Sequence, residues 1–350
     1  GYSSAASDVY KRQIVACSSN NETIPVPDVD PDGDDGTTEV EFAKGADIGW
    51  VTEYESKGYN FYNAKGEQRE CTALMKELGL NAIRIRVWVD PSKHGNWCNT
   101  ADVVEKVKRA KELGMDVMID FHYSDWWADP AQQNKPASWV GKNLANLKSA
   151  IKDHTVSVLQ ALKAIGVIPK WVQVGNEIRP GMLWDEDVAL SGASYNVTEK
   201  DLKDAPASAT DKVVYPMNWA NLGAFVTTGY DAVKSVFPDA IVIVHLDNGW
   251  DSSLFTWFFD ELKKNGGKWD MIGMSLYPYW SRDAKEGYSS ADAVITDCIS
   301  NIKALSTKYN CDVMVVETGM ECADDNGRLA STSAVSYTHL RAHETCADLV

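Results

Sequence analysis

Basic residues are scarce in this chain: 34 Lys and Arg stand against 50 Asp and Glu, a net charge of −16. Phosphate binding needs clustered Lys and Arg, so no nucleic-acid partner is expected. No apolar run is long enough to span a bilayer. Cysteines are few, and none of Cys17, Cys71, Cys98, Cys298, Cys311, Cys322 and Cys346 shows metal-ligand spacing, so no metal site is expected. No glycine-rich phosphate loop follows the first candidate strand, which counts against a doubly wound nucleotide-binding sheet. Tryptophan, by contrast, is plentiful. Its thirteen indoles offer flat apolar faces for stacking on sugar rings, although a share of them fills the core.

The two ends do not read as protein. Residues 3–13, SSAASDVYKRQ, back-translate without a gap to a common transposase-based sequencing adapter. Residues 335–345, VSYTHLRAHET, fit the reverse complement of its partner. Adapter-derived segments are therefore expected at 1–13 and 334–350, with the native segment between them. Within it, Ile14-Val15-Ala16-Cys17 resembles the end of a bacterial lipoprotein signal, which makes Cys17 a lipidation candidate. Residues 14–41 then read as that Cys followed by an acidic linker bearing proline. Asp28, Asp30, Asp32, Gly33 and Glu39 satisfy the spacing of a calcium loop. Pro25 and Pro27 forbid the helix that should enter such a loop, so a solvated tether is the better reading. An extracellular or cell-surface location follows, with membrane contact only through the lipid.

From residue 42 to 333 short apolar runs alternate with amphipathic stretches. Candidate strands fall at 45–50, 82–88, 116–121, 171–174, 241–246, 271–276 and 313–316. Candidate helices fall at 70–78, 101–113, 144–164, 219–236, 254–264 and 292–309. Strands alternating with helices imply parallel β-α units, and Gly79, Gly114 and Gly166 stand where helix C-caps do. Seven strands at this rhythm point to a (β/α)8 TIM barrel lacking its eighth strand, with functional groups at the carboxyl ends of the strands. Two sheet edges would then lie unpaired, so residues 1–350 alone are expected to fold poorly and act weakly.

The strand ends carry chemistry. Strand four ends Val174-Gly175-Asn176-Glu177, and strand seven ends Val315-Val316-Glu317-Thr318-Gly319. Carboxylates at the mouths of two nearly opposite strands suit glycoside hydrolysis, one protonating the leaving oxygen and the other attacking carbon or activating water. Arg84 and Arg86 share parity on strand two. Arg86, nearer the mouth, is expected to hold the nucleophilic carboxylate ionised, with a structural ion pair as its plain alternative. After strand three, His122 introduces Asp125, Trp126, Trp127 and Asp129, a sugar platform with hydroxyl acceptors or else a buried aromatic corner. Asp47 on strand one, His245, Asp247, Asn248 and Trp250 at and after the end of strand five, and Tyr277 and Trp280 after strand six complete the rim. Tyr277 is placed to hydrogen-bond the nucleophile.

Taken in order, GADIGW, IRIRVWVDP, MIDFHYSDWWADPAQQNKPASW, VQVGNEI-x-x-GMLW, HLDNGWD, SLYPYW and VVETG resemble glycoside hydrolase family 53 across most of residues 45–319. That resemblance implies an endo-β-1,4-galactanase acting on the galactan side chains of pectin and on type I arabinogalactan. It also implies a retaining mechanism with Glu177 as acid/base and Glu317 as nucleophile. Asn176 would contact the substrate 2-hydroxyl, while Arg86, His122 and Tyr277 orient these groups. No cofactor is implied. The loop where some bacterial members hold calcium is absent, as is the eighth strand with its aromatic platform. A related clan enzyme cutting β-mannan or β-glucan, or a barrel that binds galactan without cutting it, are the competing readings.

Overall fold

The structure is a computed structural model, and it describes residues 42–130, 132–184, 218–278 and 291–319. Seven parallel strands run in chain order through one sheet: β1 (Gly45–Asp47), β2 (Ala82–Val87), β3 (Asp116–Phe121), β4 (Trp171–Val174), β5 (Ile241–Leu246), β6 (Met271–Leu276) and β7 (Asp312–Thr318). Helices cross between them: α1 (Val51–Ser56), α2 (Cys71–Glu77), α3 (Thr100–Glu112), α4 (Leu144–Ala164), α5 (Trp219–Val236), α6 (Ser252–Lys264) and α7 (Ala291–Tyr309). The sequence gives no sign of α1, nor of the two-residue hairpin pairing Phe61–Tyr62 with Gln68–Arg69.

Local chemistry sets the helix boundaries. Asn99, Asn143, Asn218 and Asp251 each accept a backbone N–H from three residues on and so start α3, α4, α5 and α6. Behind α2, α3 and α4 the chain turns away at Gly79, Gly114 and Gly166, all with positive φ.

Strand alternation divides the core in two. Ile83, Ile85 and Val87 on β2, Val117, Ile119 and Phe121 on β3, and Val242, Val244 and Leu246 on β5 face outward into the helices. The opposite parity faces inward. Ala82, Met118, Trp171, Ile243 and Met271, one each from β2 to β6, form a separate apolar plug. In a flat sheet β2 and β7 would lie about 24 Å apart, five strand spacings. Yet Arg84 on β2 meets Glu317 on β7 at 3.1 Å. The sheet therefore curls into a nearly closed (β/α)8-type barrel, seven of whose strands lie in the described residues.

Candidate active site

The barrel interior is built in steps of two residues. Two positions beyond the plug stand Arg84, Asp120, Gln173 and His245, on β2, β3, β4 and β5, all buried. Two further on stand Arg86, His122, Gly175, Asp247 and Ser275. An apolar floor thus carries two polar layers that open toward the carboxyl ends of the strands.

Glu177 is aimed by a strained turn. Gly175 has φ +82 and Glu177 φ +48, the latter a costly value for a residue with a Cβ. A Cβ at residue 175 would meet Ile178 Cγ2 at 2.5 Å, so only glycine allows the chain to fold back this tightly. Glu177 is 8% exposed, and its Oε1 accepts the Ser275 hydroxyl at 2.6 Å. Burial holds its carboxyl well above the ordinary Glu value, and the charges of Glu317 and Asp247 add to this; Ser275 and Arg84 pull the other way. Its Oε2 has no hydrogen-bond partner among the described residues.

Glu317 reaches the interior through an irregularity. Met314 and Val316 pack on the apolar plug, so simple alternation would turn residue 317 outward. The β6–β7 register shifts here: Met274 pairs with Val315, but Ser275 pairs with Glu317. The extra residue is a β-bulge, and it brings Glu317 onto the inner face beside Val316. Tyr277 donates its hydroxyl to Glu317 Oε1 at 2.5 Å. Burial, together with the Glu317 charge, raises the phenol far above its usual range, so it remains a donor.

The expected arginine is displaced by one layer. Arg84, not Arg86, pairs with Glu317 (3.1 Å), and its guanidinium also binds Asp47 (2.9 Å) and Asp120 (2.9 Å). Its long side chain climbs from the layer below. Arg86 binds Asp47 at 3.3 Å and lies over the Trp127 ring at 4.1 Å, so it is a buried support beneath the rim and not the partner of Glu317. Asp47 therefore meets two guanidiniums; they outweigh its burial and hold it below the ordinary Asp value.

Asp120, Gln173 and Ser275 escape the sequence reading. Gln173 Nε2 donates to Asp120 Oδ1 at 2.7 Å and to His245 Nδ1 at 2.9 Å. His245 Nε2 lies 2.8 Å from the Ser275 hydroxyl. Burial, with Arg84 and His122 nearby, depresses the His245 pKa well below 6.5, so its imidazole is neutral. His122 accepts Ala128 N–H on Nδ1, which leaves Nε2 to donate to Asp120 at 2.9 Å. It braces Asp120 and touches neither glutamate. Asn176 is pinned by Arg84 Nη2 on Oδ1 (2.8 Å) and donates Nδ2 to Ala128 O (2.7 Å), leaving one amide N–H. A visible signal existed for the missed residues: polar side chains of one parity inside otherwise apolar strands.

The rim is mixed. Trp127 is 39% exposed. Trp126 stacks between Trp88 and His94 at ring distances of 4.4 and 3.8 Å. Asp125 does not present a free carboxylate: its two oxygens accept Asp90 N and Ala137 N and staple two loops. Asp129 accepts from Gln132. Asp247, its pKa raised by burial against the pull of Arg179, pairs with Arg179 at 2.9 Å. Asn248 takes φ +55 at the loop that leaves β5. Trp250 is buried in the main core rather than offered at the mouth, because its loop folds back under α7. Trp280, Cys17, Cys322, Cys346 and the Asp28–Glu39 spacing lie outside the described residues.

Donor atoms of Glu177, His245 and Glu317 converge within 4.8 Å. Both His245 nitrogens are already engaged by Gln173 and Ser275, so this is a hydrogen-bonded carboxylate pair rather than a ligand set.

Comparison with known proteins agrees with this geometry. The model of glycosyl hydrolase family 53 matches residues 43–346. A protein from the bgaB 5′ region of Niallia circulans is 35% identical over 280 residues, 80% of this chain and 68% of its own length. An arabinogalactan endo-β-1,4-galactanase of Thermothelomyces thermophilus is 31% identical over 298 residues, 83% of this chain and 78% of its own. A structure of fungal β-1,4-galactanase superimposes with a TM-score of 0.69 at 25% identity, covering 88% of this chain and 84% of that one.

Proposed function

The chain belongs to glycosyl hydrolase family 53, and from that premise we propose that it cleaves β-1,4-galactan within the chain by a retaining double displacement. Glu177 is the acid/base and Glu317 the nucleophile. One observation carries the stereochemistry: carboxylate oxygens of the two residues lie within 4.8 Å. Inverting enzymes separate the two groups by roughly 6.5–9.5 Å to admit a water, whereas retaining enzymes hold them at about 5 Å.

In the first step a Glu317 oxygen bonds to the anomeric carbon as the glycosidic C–O bond breaks. The proton of Glu177 passes to the departing oxygen. Tyr277 and Arg84 fix the two Glu317 oxygens for attack, and the remaining Asn176 N–H is available to the sugar 2-hydroxyl. Forming the ester removes the Glu317 charge, one of the causes holding the Glu177 proton, so Glu177 is better able to stay ionised as the base. In the second step it takes a proton from water, whose oxygen bonds to the anomeric carbon and releases Glu317. Acid, base and nucleophile all come from side chains, and no cofactor enters.

Trp127 supplies a sugar platform at the rim. The reading places the enzyme at a bacterial cell surface, held by lipid on Cys17. Radiolabelled palmitate incorporation, lost in Cys17→Ala, tests the anchor.

The function is tested by reducing ends released from β-1,4-galactan, with β-mannan and β-glucan beside it and Glu317→Gln as control. Release from galactan alone, as the β-anomer by early NMR and lost in the variant, is the expected result. Release only from mannan or glucan would refute the substrate, and an α-anomer would refute the mechanism.

A further inference from the structure

Glu177 sits at the head of a buried chain of polar groups with no function yet. Its Oε1 takes the Ser275 hydroxyl (2.6 Å), His245 Nε2 lies behind that hydroxyl (2.8 Å), and Gln173 Nε2 lies behind His245 (2.9 Å). All four residues are 8% exposed or less. The orientation of Gln173 is fixed independently of His245. Its amide nitrogen faces the acceptor-only Asp120 carboxylate, and its oxygen faces the donor-only Arg84 guanidinium at 3.3 Å. With one Gln173 N–H on Asp120, the other is shared among His245 Nδ1, Gly175 O (3.1 Å) and Asn176 Oδ1 (3.1 Å), so His245 Nδ1 can accept it or donate to Asn176 Oδ1 at 3.0 Å.

The imidazole can carry its proton on either side, and the charge on Glu177 selects which. An ionised carboxylate needs a donor at Oε1, so Ser275 must point its single hydrogen there. Ser275 then accepts from His245 Nε2–H, while Nδ1 accepts from Gln173. The remaining oxygen, Oε2, has no hydrogen-bond partner among the described residues and is the one left to carry the proton.

We propose that Ser275, backed by His245, is the positioning residue of Glu177: it fixes Oε1 and stabilises the carboxylate left when the proton departs to the leaving group. This inference rests on Glu177 being the acid/base. A serine in this place works only when proton donation limits the rate. Hydrogen bonds to charged groups are strong enough that its loss costs about 10–100-fold. The cost falls on leaving groups that need the proton, while a nitrophenolate, stable as the anion, is largely spared.

The groups facing Glu177 that also shape its titration are Arg84 on β2, His245 and Asp247 at the end of β5, Tyr277 after β6 and Glu317 on β7. Ser275→Ala leaves all of them in place. Removing the donor to the ionised form raises the pH at which Glu177 loses its proton, so the alkaline limb of activity moves upward, by about one unit for a tenfold effect.

The test compares the protein with Ser275→Ala, Ser275→Thr and Glu177→Ala, on galactan and on a 2,4-dinitrophenyl β-galactobioside. Thermal melts check that each variant is folded. Ser275→Ala should lose 10–100-fold on galactan and less than threefold on the aryl substrate, with its alkaline limb raised. Ser275→Thr, which keeps a hydroxyl, should stay near the parent on both, and the Ala result decides alone if the larger side chain unfolds the barrel. Equal losses on both substrates with an unmoved limb would make Ser275 merely structural and overturn the proposal, as would no loss at all. Glu177→Ala reports on the premise separately. It should keep aryl activity and gain rate with azide; failure of both would sink the acid/base assignment, and the inference with it.

Discussion

Replacing Arg84 by methionine removes one cation from among three carboxylates. Asp120 suffers most: its side chain is fully buried, and it keeps only its contacts with His122 and Gln173. Asp47 retains Arg86, and both Asp47 and Glu317, at 27% and 25% exposure, can turn to water. The cost is therefore close to that of breaking one buried pair, about 3–5 kcal/mol. For a barrel of this size it corresponds to a fall in melting temperature of roughly 5–9 °C. Arg84→Lys should fall between the two, since a single ammonium cannot span the positions that two guanidinium nitrogens reach. The decisive measurement is a double-mutant cycle by urea unfolding with Asp120→Asn. With the buried charge neutralised, the pair of changes should cost at least 1 kcal/mol less than the sum of the single ones. Additive losses, or a loss below about 1 kcal/mol for Arg84→Met alone, would show that Asp120 does not depend on Arg84 and would refute the layered account of the interior.

Three further outcomes are expected. His154 on α4 is enclosed by Phe121, Tyr123 and Trp139; part of the residue reaches solvent, but its Nε2 is shut in without a hydrogen-bond partner. Burial depresses its pKa to about 4, so between pH 6.5 and 4 the unfolded chain takes up a proton that the folded one refuses. Stability is complete above that window and falls by about 3 kcal/mol through it as pH drops; His154→Leu should flatten this slope in urea midpoints at pH 4.5 and 7.5, and an unchanged slope would count against it. Gly229→Ala places a Cβ 2.5 Å from Val174 Cγ1 and 3.1 Å from the Tyr123 hydroxyl, so overpacking between α5 and β4 should cost about 1–3 kcal/mol in a thermal melt. Trp127→Ala should raise KM for galactan several-fold while kcat is nearly held, because the ring is exposed and touches neither glutamate; a fall in kcat at unchanged KM would remove Trp127 from the binding surface.

The barrel was legible because its strands are short, largely apolar runs that alternate with amphipathic helices. Residues 116–121, 171–174, 241–246 and 271–276 were bounded correctly, and the caps at Gly79, Gly114 and Gly166 lie where the sequence puts them. Helix α1 was invisible: six residues have little intrinsic helicity, and this turn exists because Val51 is buried and Arg109 pairs with Glu55. Within the site, Glu177 and Glu317 were legible as strand-end carboxylates. The inward turn of Glu317 was not, since it depends on a bulge set by pairing with β6. Choosing Arg86 over Arg84 by height ignored the reach of an arginine side chain. Asp125 and Trp250 were assigned by neighbourhood in sequence, and the loops use both for their own architecture. Asp120, Gln173 and Ser275 become meaningful only once inward parity is applied across several strands, because within its own strand each is one polar residue among mostly apolar neighbours.

The two polar layers explain why one pair of glutamates, in one cleft, can hold opposite roles. Beneath them lies the apolar plug, so polar groups buried above it gain by pairing within the protein. Gln173, His245, Asn176 and Asp120 are spent almost wholly on one another and on Arg84. The guanidinium, drawn to Asp120 and Asp47, meets Glu317 directly; Glu177 has no ion pair with it, and burial with the repulsion of Glu317 and Asp247 outweighs the Ser275 hydroxyl and the pull of Arg84. A carboxyl in the second environment keeps its proton, and one in the first presents oxygens fixed by a cation and a phenol. The division of labour proposed for Glu177 and Glu317 thus follows from the burial of the first and the direct pairing of the second with the Arg84 guanidinium.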